Sequence, residues 1–127
     1  MKPINIYALS RLTDPDRIKR MDRQLSERDS FLSVKDWEIE SLKVLSDRLY
    51  QTDPRSSRLS FYYSFSIPKL GKEFDLLYIS KDQIINIELK SHPVSDEDIK
   101  KQLLLNRSYL SVLGKTIRSY TYISSTD

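Results

Sequence analysis

The chain has 127 residues, a length suited to one domain that buries a core without disulfides or a structural metal. It has no cysteine, which excludes thiolate metal sites, catalytic thiols and disulfides, and its two glycines, Gly71 and Gly114, exclude a glycine-rich phosphate loop or a dinucleotide fingerprint. The net charge of +3 favours approach of a polyanion, but Lys and Arg are interleaved with Asp and Glu along the chain, so charge alone reads first as a mixed, solvated surface.

No apolar run approaches the length of a membrane span, and the opening MKPINIYALSRLTDPD has neither the hydrophobic stretch nor the cleavage site of a signal peptide. The expectation is a soluble, cytoplasmic protein with no membrane partner.

In chain order, residues 14–28 (DPDRIKRMDRQLSER) carry a narrow apolar stripe at Ile18, Met21 and Leu25 behind an Asp14-Pro15 start signal. They read as a surface helix whose charges, Arg17, Lys19, Arg20 and Arg23 among Asp16, Asp22 and Glu27, form a solvated face. Residues 1–34 are expected to form an N-terminal helical extension and 35–127 the main domain. Residues 35–50 (KDWEIESLKVLSDRLY) predict an amphipathic helix capped by Asp36 or Ser33, with Leu42, Leu45 and Leu49 on one side. At about 100° per residue, Glu38 falls on that apolar stripe while Glu40 points nearly the opposite way.

After a polar turn at 52–57, LSFYYSFSI (59–67) predicts a strand closed by Pro68 and Gly71. Its Tyr62 and Tyr63, with Tyr120 and Tyr122 further on, read as sheet packing. EFDLLYI (73–79) and QIINIEL (83–89) predict two more strands around Ser80-Lys81-Asp82-Gln83. Pro93 breaks the chain, Ser95-Asp96-Glu97-Asp98 makes an acidic helix start, and the helix runs to a stop at Gly114. Asn106 and Tyr109 on this helix are candidates to reach a nucleic acid, although Leu103, Leu110 and Leu113 mark much of it as core. TIRSYTYIS (116–124) predicts the closing strand. Helix, three strands, helix, strand implies an α/β or α+β domain with a mixed sheet.

If the second and third strands form a hairpin centred on Lys81 and Asp82, the register places Asp75 opposite Glu88, with Lys90 two residues beyond on the same face. Strict alternation puts Phe74, Leu76, Tyr78, Ile85, Ile87 and Leu89 on one side and Leu77, Ile79 and Ile84 on the other. Opposed carboxylates are destabilising without a positive group between them, and Mg2+ is bound by one or two carboxylates with several waters. Asp, Glu and Lys therefore make one hydrolytic set, the lysine offsetting phosphoryl charge or orienting water. His92, the only histidine, follows the strand in a loop before Pro93; it is within reach of a phosphate but reads first as incidental.

The stretch SIPKLGKEFDLLYISKDQIINIELKS and the later KQLLLNRSYL resemble the PD-(D/E)XK nuclease superfamily, and within it the nuclease-related domain, NERD. The resemblance runs from about Trp37 to Ile123, with Trp37 standing where that family commonly has glycine. It implies a restriction-endonuclease-like αβββαβ core. It further implies Asp75 and Glu88 as ligands of Mg2+ (with Mn2+ as a substitute), the Leu89 carbonyl as a further ligand, Lys90 as the catalytic lysine, and Gln102 facing the site. The first-helix acid of the family is matched by Glu38, with Glu40 as the fallback if the helix phase is shifted by half a turn. The implied function is a DNA endonuclease, joined in a larger protein to a helicase or other NTPase and serving genome defence or DNA processing. The alternatives are a non-catalytic DNA-binding or protein-interaction module of the same fold, and a homodimeric junction-resolving nuclease.

Overall fold

Local residue patterns account for most of the elements. The computed structural model describes residues 2–26, 35–67 and 72–126. Helix α1 (Ile6–Ser10) is too short for a periodic signal and is set by Asn5, whose side chain accepts the Ala8 N–H at 3.0 Å. Helix α2 (Pro15–Ser26) begins at its proline, as the Asp14-Pro15 pair predicts. Ile18 is buried on its inner side, and so is Asp22, which therefore does not belong to the solvated face.

Helix α3 (Asp36–Thr52) buries Glu38, Ile39, Leu42 and Leu45 along one stripe. Lys35 occupies the cap position and makes no side-chain cap bond, so Asp36 is the first helical residue rather than the cap. The other cap candidate, Ser33, and the turn residues Pro68 and Gly71 lie outside the described residues. A 3-10 turn, Pro54–Arg58, then leads into the sheet.

Strands β1 (Tyr62–Ile67), β2 (Lys72–Ile79), β3 (Gln83–Lys90) and β4 (Thr116–Ile123) form a four-stranded sheet in that order. β1–β2 and β2–β3 are antiparallel, and β3–β4 is parallel. A parallel return needs a crossover, and helix α4 (Asp96–Leu110) supplies it. Ser95 caps α4 by accepting the Asp98 N–H at 3.2 Å. A further 3-10 turn ends at Gly114, whose φ of 68° is the left-handed conformation that glycine adopts without steric cost. The fold is thus a mixed α+β domain.

The sheet is covered on both faces. One core joins Leu42 and Leu45 of α3 with Tyr63, Leu76 and Leu89, and Ile4, Ile6, Leu9 and Ile18 of the N-terminal segment pack into the same cluster. The other joins Leu110 of α4 with Phe74, Leu77 and Ile84. Among the described residues, no helix is long and apolar enough to cross a membrane.

The hairpin register is the expected one: Leu76 pairs with Ile87, Leu77 with Asn86, Tyr78 with Ile85 and Ile79 with Ile84. Strict alternation fails further along. Phe74, expected beside Leu76 on the α3 face, packs instead with Leu77 and Ile84 under α4. The cause lies in β1, where Ser64 has a φ of 53° between the pairs Tyr63↔Leu76 and Phe65↔Phe74. A strand that passes through positive φ turns its next side chain to the other face. Tyr63 therefore faces α3 and Phe65 faces α4, and β2 reverses with its partner.

Candidate active site

The reversal sits on one line across the sheet. Ser64 of β1 lies between the pairs Tyr63↔Leu76 and Phe65↔Phe74, level with Asp75 of β2. The β2–β3 pairs end at Leu76↔Ile87, one step short of Asp75 and Glu88, so the expected pairing of those two acids is not made; Glu88 pairs with Thr121 of β4. Asp75, at the point where β2 changes faces, reaches sideways: its Oδ2 accepts the Leu89 N–H at 2.9 Å. A carboxylate thus stands where a backbone carbonyl would continue the ladder. Its other oxygen, Oδ1, accepts no hydrogen bond from a described residue.

Glu88 lies on the α4 side and is 2% exposed. Its Oε1 accepts the Asn106 Nδ2 at 2.7 Å, and its Oε2 is 3.5 Å from Gln102 Nε2. Gln102 and Asn106 are four residues apart on α4, so one helix face delivers both amides. Asn106 is fully buried, which excludes the direct contact with nucleic acid weighed for it in the sequence. The i, i+4 spacing from Gln102 was the available signal for its place beside Glu88.

Glu38 is buried at 7% exposure, whereas Glu40 is exposed, so the helix phase selects Glu38. The Tyr63 hydroxyl, reaching from β1 on the same side of the sheet, donates to Glu38 Oε2. No local sequence signal joins these two residues, and Tyr63 read simply as packing. The pKa of Glu38 is raised chiefly by burial, with the nearby carboxylates of Asp75 and Glu73 pushing the same way; the Tyr63 hydrogen bond and Lys35 oppose the rise. Glu73 also accepts the Ser64 hydroxyl, which ties the positive-φ residue to the acidic cluster.

Lys90 closes β3, half-buried, and its ammonium forms no ion pair among the described residues. His92 is exposed, with Nδ1 3.2 Å from Ser91 Oγ, and makes no hydrogen bond or ion pair with an acid among the described residues. An apolar cavity of about 490 Å³ lies elsewhere, between α3 and β3–β4, lined by Leu45, Leu49, Phe61, Ile85, Tyr120 and Tyr122 among others. Those walls carry no charge to meet a polyanion, and none of the charged candidates lines them.

Whether this line suits a metal turns on its oxygens. Among the described residues no three His, Asp or Glu side chains converge on a common metal position, so a closed carboxylate cage is absent. A hard cation that keeps most of its waters needs only one or two carboxylates. Asp75 Oδ1, which accepts no hydrogen bond from a described residue, is an oxygen open to such a cation, and the charges of Asp75 and Glu73 that raise the Glu38 pKa add to the negative potential around it. Compared with known proteins, the chain matches no family model, no curated protein and no solved structure.

Proposed function

We propose that the chain is a metal-dependent phosphodiesterase domain of the restriction-endonuclease-like, PD-(D/E)XK type that cuts DNA. The observation that carries the reading is spatial linkage among residues far apart in sequence. Glu38 feels the charge of Asp75, Asp75 holds the Leu89 N–H beside Glu88, and Glu88 meets Gln102. The four-stranded sheet with α3 on one face and α4 on the other is also the layering such a domain needs.

In this reading Asp75 and Glu88 hold Mg2+ or Mn2+, with the Leu89 carbonyl adjacent. When bound, the cation supplies polarisation of a phosphoryl oxygen and a bound water of lowered pKa. The chain does the rest. The Leu89 N–H fixes the orientation of the Asp75 carboxylate before any ligand arrives. Asn106 holds Glu88 from the α4 side. The Lys90 ammonium, carrying no ion pair among the described residues, offsets charge that builds on the phosphate as water adds to phosphorus and the bridging P–O bond breaks. Glu38, with its raised proton affinity, sets how much negative charge the cluster carries, so cation binding favours its ionised form.

A non-catalytic module of the same fold is favoured by one observation: Glu88 already has amides at both oxygens, and no three acids converge among the described residues. Incubation with supercoiled, linear and single-stranded DNA in Mg2+, in Mn2+ and in EDTA separates the two readings. Nicking or cutting in either cation, absent in EDTA, is expected. Binding without cutting in every condition would contradict the nuclease and support the module.

A further inference from the structure

Beneath Glu88, the interior between α4 and the sheet holds a group of polar side chains of which the proposed chemistry uses only the Asn106 amino group. Asn86 and Asn106 are both fully buried. Asn86 Nδ2 and Oδ1, Asn106 Oδ1, Ser119 Oγ and Thr121 Oγ1 are buried and have no hydrogen-bond partner among the described residues. The register gathers them: Asn86 pairs with Ser119, Glu88 pairs with Thr121, and Asn106 Nδ2 donates to Glu88 Oε1 at 2.7 Å. Residues two apart on neighbouring strands share a face, so all five atoms belong to the side that α4 covers.

One buried polar atom left unpaired costs about 1–3 kcal/mol, and five together would consume much of a small domain's stability. Something small must satisfy them, and their chemistry says what. The Asn86 amino group donates, the two amide carbonyls accept, and the Ser119 and Thr121 hydroxyls do either. A bare cation meets the Asn86 amino group unfavourably, and an anion meets Glu88 and two carbonyls unfavourably. Water alone both donates and accepts at such a site, and buried water typically makes about three such bonds.

We propose that Asn86, Asn106, Ser119 and Thr121 form a buried water-binding site beneath Glu88, and that through it Asn86 and Asn106 act as positioning residues for the Glu88 carboxylate. The second half rests on the metal-dependent reading above; the first does not. The water fixes Asn106 at Oδ1, Asn106 fixes Glu88 at Oε1, and the carboxylate meets its ligand in one orientation.

The test uses the full chain, 15N-labelled. Cross-relaxation between water and the side-chain amides of Asn86 and Asn106, with the sign given by long-lived bound water, is expected in the wild type. Asn86→Leu, which fills the space with an apolar group, is expected to abolish it at Asn106; if that variant does not fold, Thr121→Val, nearly isosteric, is expected to weaken it at both amides. Absence of the signal in the wild type, or an unchanged signal in the folded variant, overturns the water site. Positioning is read separately as Mn2+ affinity by electron paramagnetic resonance, comparing the wild type with Asn106→Leu, or with Asn106→Ala should the leucine variant unfold. Removing a group that orients a metal ligand is expected to weaken Mn2+ binding by about 10–100-fold. Equal affinity overturns the positioning role. A wild type that binds no Mn2+ overturns the metal-dependent reading and the positioning role with it, and leaves the amide–water result to stand or fall alone.

Discussion

Glu38 shows how a single side chain reports the character of the site. A carboxylate on a leucine stripe, against two other acids, is stabilised by the Tyr63 hydroxyl, a charge-assisted bond of the stronger kind. Tyr63→Phe removes that bond while keeping the ring in the core. Stability is expected to fall by about 1.5–3 kcal/mol, the range for hydrogen bonds to charged groups, read by urea denaturation at neutral pH. Because the bond opposes the rise in the Glu38 pKa, the same variant is expected to raise that pKa further, followed by NMR of the 13C carboxyl. The pH dependence has a definite sign. With a folded pKa above the unfolded one, the native state binds more protons in the interval between them. The contribution to stability is therefore complete below the ordinary carboxylate value and is lost as pH rises through the folded value. In EDTA, Glu38→Gln is expected to flatten that decline; a denaturation midpoint falling as steeply as in the wild type would show that Glu38 is not responsible.

Between elements, the decisive feature is the reversal of β1 and β2 at Ser64 and Asp75. A serine at φ 53° is tolerated at a cost that a β-branched residue greatly increases. Ser64→Gly is expected to fold with nearly wild-type stability, the relief of strain offsetting the lost bond to Glu73, whereas Ser64→Val is expected to lose about 1–3 kcal/mol more than the glycine variant. Equal thermal midpoints for the two would show that the positive φ is not maintained. This reversal also marks where the sequence stopped being legible. The pairing of 76–79 with 84–87 followed from hydrophobic alternation and the hairpin centre, because a period of two fixes register once one face is buried. Serine does not announce positive φ as glycine does, so the change of face at Phe74 and the sideways reach of Asp75 could not be read from alternation. On α3 the helical period separated Glu38 from Glu40 correctly, since one stripe faces the core throughout. The bond from Tyr63 to Glu38 and the seat of Asn106 beside Glu88 are tertiary, and of the two only Asn106 left a trace, in its spacing from Gln102.

At the scale of the whole molecule, a sheet covered by α3 and α4 turns its one polar line toward the point where β2 and β3 cease to pair. Glu88 and the α4 amides of Gln102 and Asn106 gather on one side of that line, Asp75 reaches across it to the Leu89 N–H, and Glu38 lies on the α3 side within range of the Asp75 charge. Such a concentration of polar groups costs stability, a cost the proposed catalytic role would explain. Lys90 is the residue that separates chemistry from packing, since its side chain is half-buried and makes no ion pair among the described residues, while its backbone pairing with Ile123 is kept in Lys90→Ala. The most direct measurement is the rate of supercoiled plasmid cleavage in Mg2+ by the wild type and by Lys90→Ala, each first verified as folded by circular dichroism. The expected result is cleavage by the wild type that is abolished by EDTA and falls by about 100-fold or more in the variant, the scale for removing one group that stabilises developing charge. Equal rates for the two proteins, or no cleavage by the folded wild type, would contradict the assignment of this site as a nuclease centre.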